Sequence, residues 1–149
     1  MGPGGRIALL FFSILLSPGL QSQEQPGPET RYIADIELQT LDQFQQLLAR
    51  ADELFLSGRA SSGGGAAVVF VLHGPVLRSL LRENYPENRS TVDLAARLSA
   101  FGVIDLKACR AWMRGAGVAE ADLQPFVETV SYGPDEVQRL VRENNYIYF

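Results

Sequence analysis

The sequence predicts an α/β protein, a three-layer α/β/α sandwich around a mainly parallel sheet of about five strands. Short strand-like runs alternate with helical runs of roughly ten to fifteen residues across residues 31–149, the order expected of a parallel sheet covered by helices. The run AAVVFVLHG at 66–74 is apolar on both faces, as a central strand between two layers requires. Of the 149 residues, 46% are apolar and 20% charged, and Cys109 and His73 are the only Cys and His. A disulfide framework within one chain is therefore excluded, and the core carries the stability.

The chain opens with Arg6, the apolar run IALLFFSILL at 7–16 and the helix breakers Ser17, Pro18 and Gly19. This is the layout of a secretory signal peptide, assigned to residues 1–22 with cleavage between Gly19 and Gln23. The run is short of the roughly 20 apolar residues that span a bilayer, so no stable membrane span is expected after cleavage. Residues 23–30, with Pro26, Gly27 and Pro28, read as a flexible leader, and 31–149 as the folded domain.

Tyr32 to Gln39 alternates as a first strand. Thr40 then caps a helix, with Gln43 placed to reach back, and Phe44, Leu47, Leu48, Ala51 and Leu54 form its apolar face to about Leu56. The stretch SGRASSGGG at 57–65 precedes a strand and has no following Gly-Lys-Ser/Thr, so it is a connection rather than a phosphate cradle. Pro75 opens a helix with Val76, Leu77, Leu80 and Leu81 on its core face. Pro86 ends that element, and a second amphipathic helix runs from Thr91 to Phe101, stopped at Gly102.

Val103 to Ala108 forms a third strand that runs into Cys109, and ACRAWMRGAG continues as a short helix. Ala119 to Leu123 begins another turn of helix. FVETVS is a fourth strand and DEVQRLVREN a helix with acidic residues in its first turn. YIYF closes as a short fifth strand.

Charge and composition narrow the function. Acidic residues number 17 against 13 basic, a net charge of −4, which gives no broad phosphate-neutralising surface, so no nucleic-acid partner is expected. One Cys and one His cannot supply a Cys/His zinc site, and neither a metal nor another cofactor is expected. No Gly-x-Ser-x-Gly elbow marks a serine hydrolase. Asn88-Arg89-Ser90 matches a glycosylation acceptor pattern that arises often by chance.

In open parallel sheets chemistry gathers beyond the carboxyl ends of the strands, and that rule selects Cys109 and His73. Cys109 sits where the third strand meets a helix start, whose amides stabilise the nucleophilic thiolate. Lys107, Arg110 and Arg114 are nearby in sequence and would add to the effect if turned inward. His73 ends the second strand; if the second and third strands are neighbours, it emerges beside Cys109 as a base or hydrogen-bond partner. The competing readings are a packed thiol, because unpaired Cys is commonly buried, and a His that satisfies a turn. Trp112, Met113 and Phe126 read as core or interface residues, and Tyr146, Tyr148 and Phe149 as an aromatic end able to bury against a neighbouring chain.

The stretch from Val68 to Phe149, with VVFVLHGP, ENRSTVDLAARLSAFGVIDLKACRAWMRGAGV, DLQPFVETVSYGP and the terminal YIYF, resembles the DsrE/DsrF-like family, in particular its exported bacterial members. The resemblance implies a five-stranded α/β/α fold and a homo-oligomer. It also implies a persulfide on a Cys at the end of this strand, the position of Cys109, passed between a sulfur donor and an acceptor that are proteins or small sulfur compounds. The family's cytoplasmic members work in relays, whereas this chain carries an export signal and is expected in the periplasm or outside the cell. With no second thiol, a thioredoxin-like role is disfavoured. The resulting expectation is an exported sulfur carrier or sulfurtransferase acting through Cys109 with help from His73. The alternative is a non-catalytic oligomeric binding or scaffold domain with an unreactive thiol.

Overall fold

The computed structural model describes Met1 and residues 30–37, 40–59 and 65–149 of the chain. The segments read as signal peptide and leader lie outside the described residues, Met1 and Thr30 apart, as do Leu38, Gln39 and residues 60–64. The elements run β1 (Tyr32–Ile36), α1 (Leu41–Leu56), β2 (Val68–Leu72), α2 (Tyr85–Ala100), β3 (Ile104–Cys109), α3 (Arg110–Ala116), β4 (Val127–Val130), α4 (Gly133–Asn144) and β5 (Ile147–Tyr148). The five strands form one sheet in the order β4-β3-β2-β1-β5, and every pairing is parallel. The predicted fold class is the observed one.

Strand β2 lies at the centre, buried at every position, as its two-faced apolar sequence requires. Its side chains alternate between two cores. Val68, Phe70 and Leu72 join Phe44, Leu48, Ala51, Val92, Ala95 and Leu98 from α1 and α2. Val69 and Val71 join Ile33 of β1 and Val137, Leu140 and Tyr146 of the α4 region. Helices α1 and α2 therefore cover one face of the sheet, and α4 covers the other. The period of two along β2 thus sets which helix each residue meets.

Helix α1 begins as the sequence indicates, with a reciprocal cap between Thr40 and Gln43. The next region differs. Pro75–Leu80 is a 3-10 segment that still buries Val76, Leu77 and Leu80. Pro86 does not end an element; it stands in the first turn of α2, where its missing N–H has no intrahelical partner to lose. The helix bends at Asn88 (φ −114°, ψ 18°). There the Asn88 side chain donates to the Asn84 carbonyl at 2.8 Å, a local bond of the kind that competes with regular helix. The expected start at Thr91 missed this opening.

Met113 is buried, and Trp112 and Phe126 pack against the larger core, so their apolar character is explained within one chain. The aromatic end divides. Tyr146 is buried and Phe149 packs on Tyr32 and Phe70 with the Arg50 guanidinium 4.5 Å from its ring centre, while Tyr148 is exposed. Strand β5 is only two residues long. No helix among the described residues is long and apolar enough to cross a membrane.

Leu106 of β3 is fully buried among residues of the larger core. Leu106→Ala is expected to lower unfolding free energy by about 2–5 kcal/mol, measured by urea titration, through lost transfer energy and the cavity left behind.

Candidate functional site

Three carboxyl-terminal strand ends meet the first turn of α4 on one face of the sheet. Alternation along β3 sends Ile104, Leu106 and Ala108 into the larger core, which turns Cys109 to the α4 side. The backbone N–H of Gly133, the first residue of α4, donates to Cys109 Sγ at 3.3 Å. A Cβ built at Gly133 would lie 3.1 Å from Val71 Cγ1, 3.5 Å from Cys109 Cβ and 3.7 Å from Cys109 Sγ. The absence of a side chain is what lets the helix start settle this closely on β2 and β3.

The sequence pointed to a different helix. Cys109 is the N-cap residue of α3, but its side chain accepts no bond from that helix, because α3 turns Met113 toward the opposite core. The amide that reaches the sulfur comes from α4, 24 residues along the chain. The helix DEVQRLVREN was legible from its acidic first turn, and the approach of its start to the thiol was not, since only tertiary packing sets it. Solvent reach also differs from what a carrier in the ground state would suggest, because Cys109 is 2% exposed.

His73 lies where the sequence put it. Strands β2 and β3 are neighbours, with Leu72 in register with Ala108, so His73 follows beside Cys109 at the same sheet edge. No hydrogen bond joins the two side chains. His73 Nε2 is instead 2.9 Å from Asp35 Oδ1 of β1; the pair is partly solvated, at 24% and 39% side-chain exposure. Asp35 was missed. Its only signal was an acidic residue inside an otherwise apolar strand. Gly74, at φ 130°, turns the chain immediately after His73 through a region that suits glycine.

The nearby cations are held by carboxylates. Lys107 Nζ lies 3.3 Å from Asp105, 3.3 Å from Glu128 and 3.7 Å from Glu136. Arg110 contacts Glu120 at 3.4 Å and Ser131 Oγ at 3.1 Å, and Arg114 is exposed. Arg110, Ser131, Tyr132, Asp135, Glu136 and Arg139 line a shallow cleft of about 360 Å³. Among the described residues no group of three or more His, Cys, Asp or Glu side chains is arranged to hold a metal ion.

The charges around Lys107 also shape the pH response. Burial pushes the Asp105 carboxyl above its ordinary range, more than the Lys107 ammonium pulls it down. Glu136 is held below the ordinary range, chiefly by its bond to Arg139, against the opposing effect of burial and with help from the Arg139 and Lys107 charges. Arg139 grips it through two contacts at 2.8 and 2.9 Å. A carboxylate lowered on folding contributes stability above its unfolded pKa and loses that contribution as pH falls through the folded value.

Glu136→Gln is therefore expected to cost about 0.5–1 kcal/mol at pH 7, the exposure of Arg139 keeping the effect small, and progressively less as pH falls below the carboxylate range. Denaturant titrations at several pH values measure this. Gly133→Ala is expected to cost about 1–3 kcal/mol, because Val71 is fully buried and stiff at χ1. The same variant should make Cys109 react faster with iodoacetamide, as the start of α4 is lifted from the sulfur.

The fold has a solved counterpart. The structure of a protein of unknown function, MTH1491 from Methanobacterium thermoautotrophicum, superposes with a TM-score of 0.63 at 18% identity, over 80% of this chain and 97% of that one. The likeness is one of fold. No protein-family model matches the chain, and no curated protein matches it in sequence. The DsrE/DsrF-like resemblance accordingly rests on the residues that carry it.

Proposed function

We propose that the chain is a sulfur carrier that holds a persulfide on Cys109, with His73 assisting. The observation that carries this reading is the Gly133 amide directed at Cys109 Sγ. An anion on that sulfur, whether thiolate or persulfide, stands at the positive end of a 12-residue helix, where negative charge is favoured. The resemblance of Val68–Phe149 to the DsrE/DsrF-like family supports the same role, as its cytoplasmic members carry sulfur on a Cys at this strand end.

The transfer balances without an oxidant. The Cys109 thiol gives its proton to His73, and the thiolate attacks the outer sulfur of a donor R–S–SH. A Cys109 S–S bond forms, the donor's S–S bond breaks, and the leaving R–S⁻ takes the proton back from His73. The products are the Cys109 persulfide and R–SH, with the sulfane sulfur unchanged in oxidation state. Delivery to an acceptor thiol is the same exchange in reverse.

The 2% exposure of Cys109 favours a second reading, an oligomeric binding or scaffold domain whose thiol is only packed. In the carrier reading the start of α4 must move aside for the donor. The apolar run at 7–16 supports export to the periplasm or beyond, and the resemblance supports a homo-oligomer.

Incubated with a small-molecule persulfide or inorganic polysulfide and weighed intact, the wild type is expected to gain the mass of one sulfur atom, reversibly by dithiothreitol, and Cys109→Ala none. A wild type that gains nothing and also resists alkylation in the folded state would overturn the carrier and leave the packed thiol.

A further inference from the structure

We propose that Asp35 is a positioning residue that holds His73 in its Nε2–H tautomer and so leaves Nδ1 as the nitrogen that takes the Cys109 proton. The inference rests on the carrier reading for its purpose, and on geometry for its substance. Asp35 is in register with Val71, two residues before His73, and both strands turn these positions to the face that buries Ile33, Val69 and Val71. The carboxylate and the imidazole thus meet across neighbouring strands, with Oδ1 2.9 Å from Nε2.

A carboxylate can only accept. A neutral imidazole facing it through Nε2 must carry its proton there, and Nδ1 is then the ring's one acceptor. An acceptor nitrogen is what a base for the thiol requires, and a third group that orients the base completes the nucleophile–base–orienter arrangement. Once Nδ1 has accepted the proton, Nε2–H still donates to Asp35, so the ring keeps its orientation until the leaving thiolate reclaims the proton.

A purely structural role explains the pair less well. Strands β1 and β2 are already joined along Tyr32–Ile36 and Val68–Leu72, and the His73 backbone N–H donates to Ile36 O at 3.1 Å. A pair as solvated as this one adds little to stability. What it fixes is the orientation and tautomer of a ring at the strand edge beside the only thiol in the chain.

Because His73 is the sole histidine, ¹⁵N-histidine labelling of the full chain gives one imidazole, and its ¹⁵N shifts and long-range couplings read the tautomer directly. At pH 8 the wild type is expected to show Nε2–H, and Asp35→Asn a loss of that preference with little change in melting temperature. Iodoacetamide alkylation of Cys109 and sulfur uptake from inorganic polysulfide are both expected to slow about tenfold in Asp35→Asn and in His73→Ala, toward the low end of general-base effects. An Nδ1–H tautomer in the wild type overturns the proposal, and so does an alkylation rate unchanged in both variants. Should alkylation slow as expected while the wild type takes up no sulfur, Asp35 keeps its positioning role and the carrier reading is the one that fails.

Discussion

The contact on which the site depends is the close approach of Gly133 to Val71 and Cys109. With no Cβ at this position, the first turn of α4 rests on the ends of β2 and β3. That contact sets where the helix begins, and from there Val137 and Leu140 reach the sheet face made by Ile33, Val69 and Val71. The same approach closes over the thiol and directs a backbone N–H at it. Burial of the sulfur and its polarisation by the helix are thus two results of one packing event. The seat that limits access to the sulfur also supplies it with a backbone hydrogen-bond donor.

Much of this architecture was legible from local patterns. The two-faced apolar run at 66–74 located the central strand because a strand buried on both sides has no polar alternation to show. Thr40 and Gln43 marked the start of α1 because capping is a short-range interaction between residues three apart. The exit of β3 into Cys109 followed from the strand-like run VIDLKA giving way to the short helical stretch ACRAWMRGAG. Pro86 was misread because proline is permitted at the start of a helix and forbidden in its interior. Only a helical apolar spacing continuing directly from the proline separates the two cases, and residues 87–90, all polar, carry no such spacing.

The site was only half legible for a related reason. Strand ends can be read along the chain, so Cys109 and His73 could be placed at one edge once β2 and β3 were taken as neighbours. The partners that give them chemical character come from elsewhere in the sequence. Gly133 approaches Cys109 from 24 residues away and Asp35 approaches His73 from 38. Lys107 likewise looked like a cation for the thiol, but period-two alternation puts Asp105 on its face, and Glu128 and Glu136 arrive from β4 and α4. Charge neutralisation among these side chains is a tertiary property that sequence proximity alone does not show.

The outer margin of the sheet at β4 shows how the fold limits unwanted association. A strand with one unpaired side offers backbone groups to any extended chain, and short length and charge are the usual deterrents. Here the margin is four residues long, and Glu128 stands on it largely exposed beside Lys107. A foreign segment laid along that margin would strip water from ionised groups and gain few backbone bonds in return. The salt cluster therefore also works as a fence, keeping a five-stranded sheet from growing a sixth member out of a neighbouring molecule.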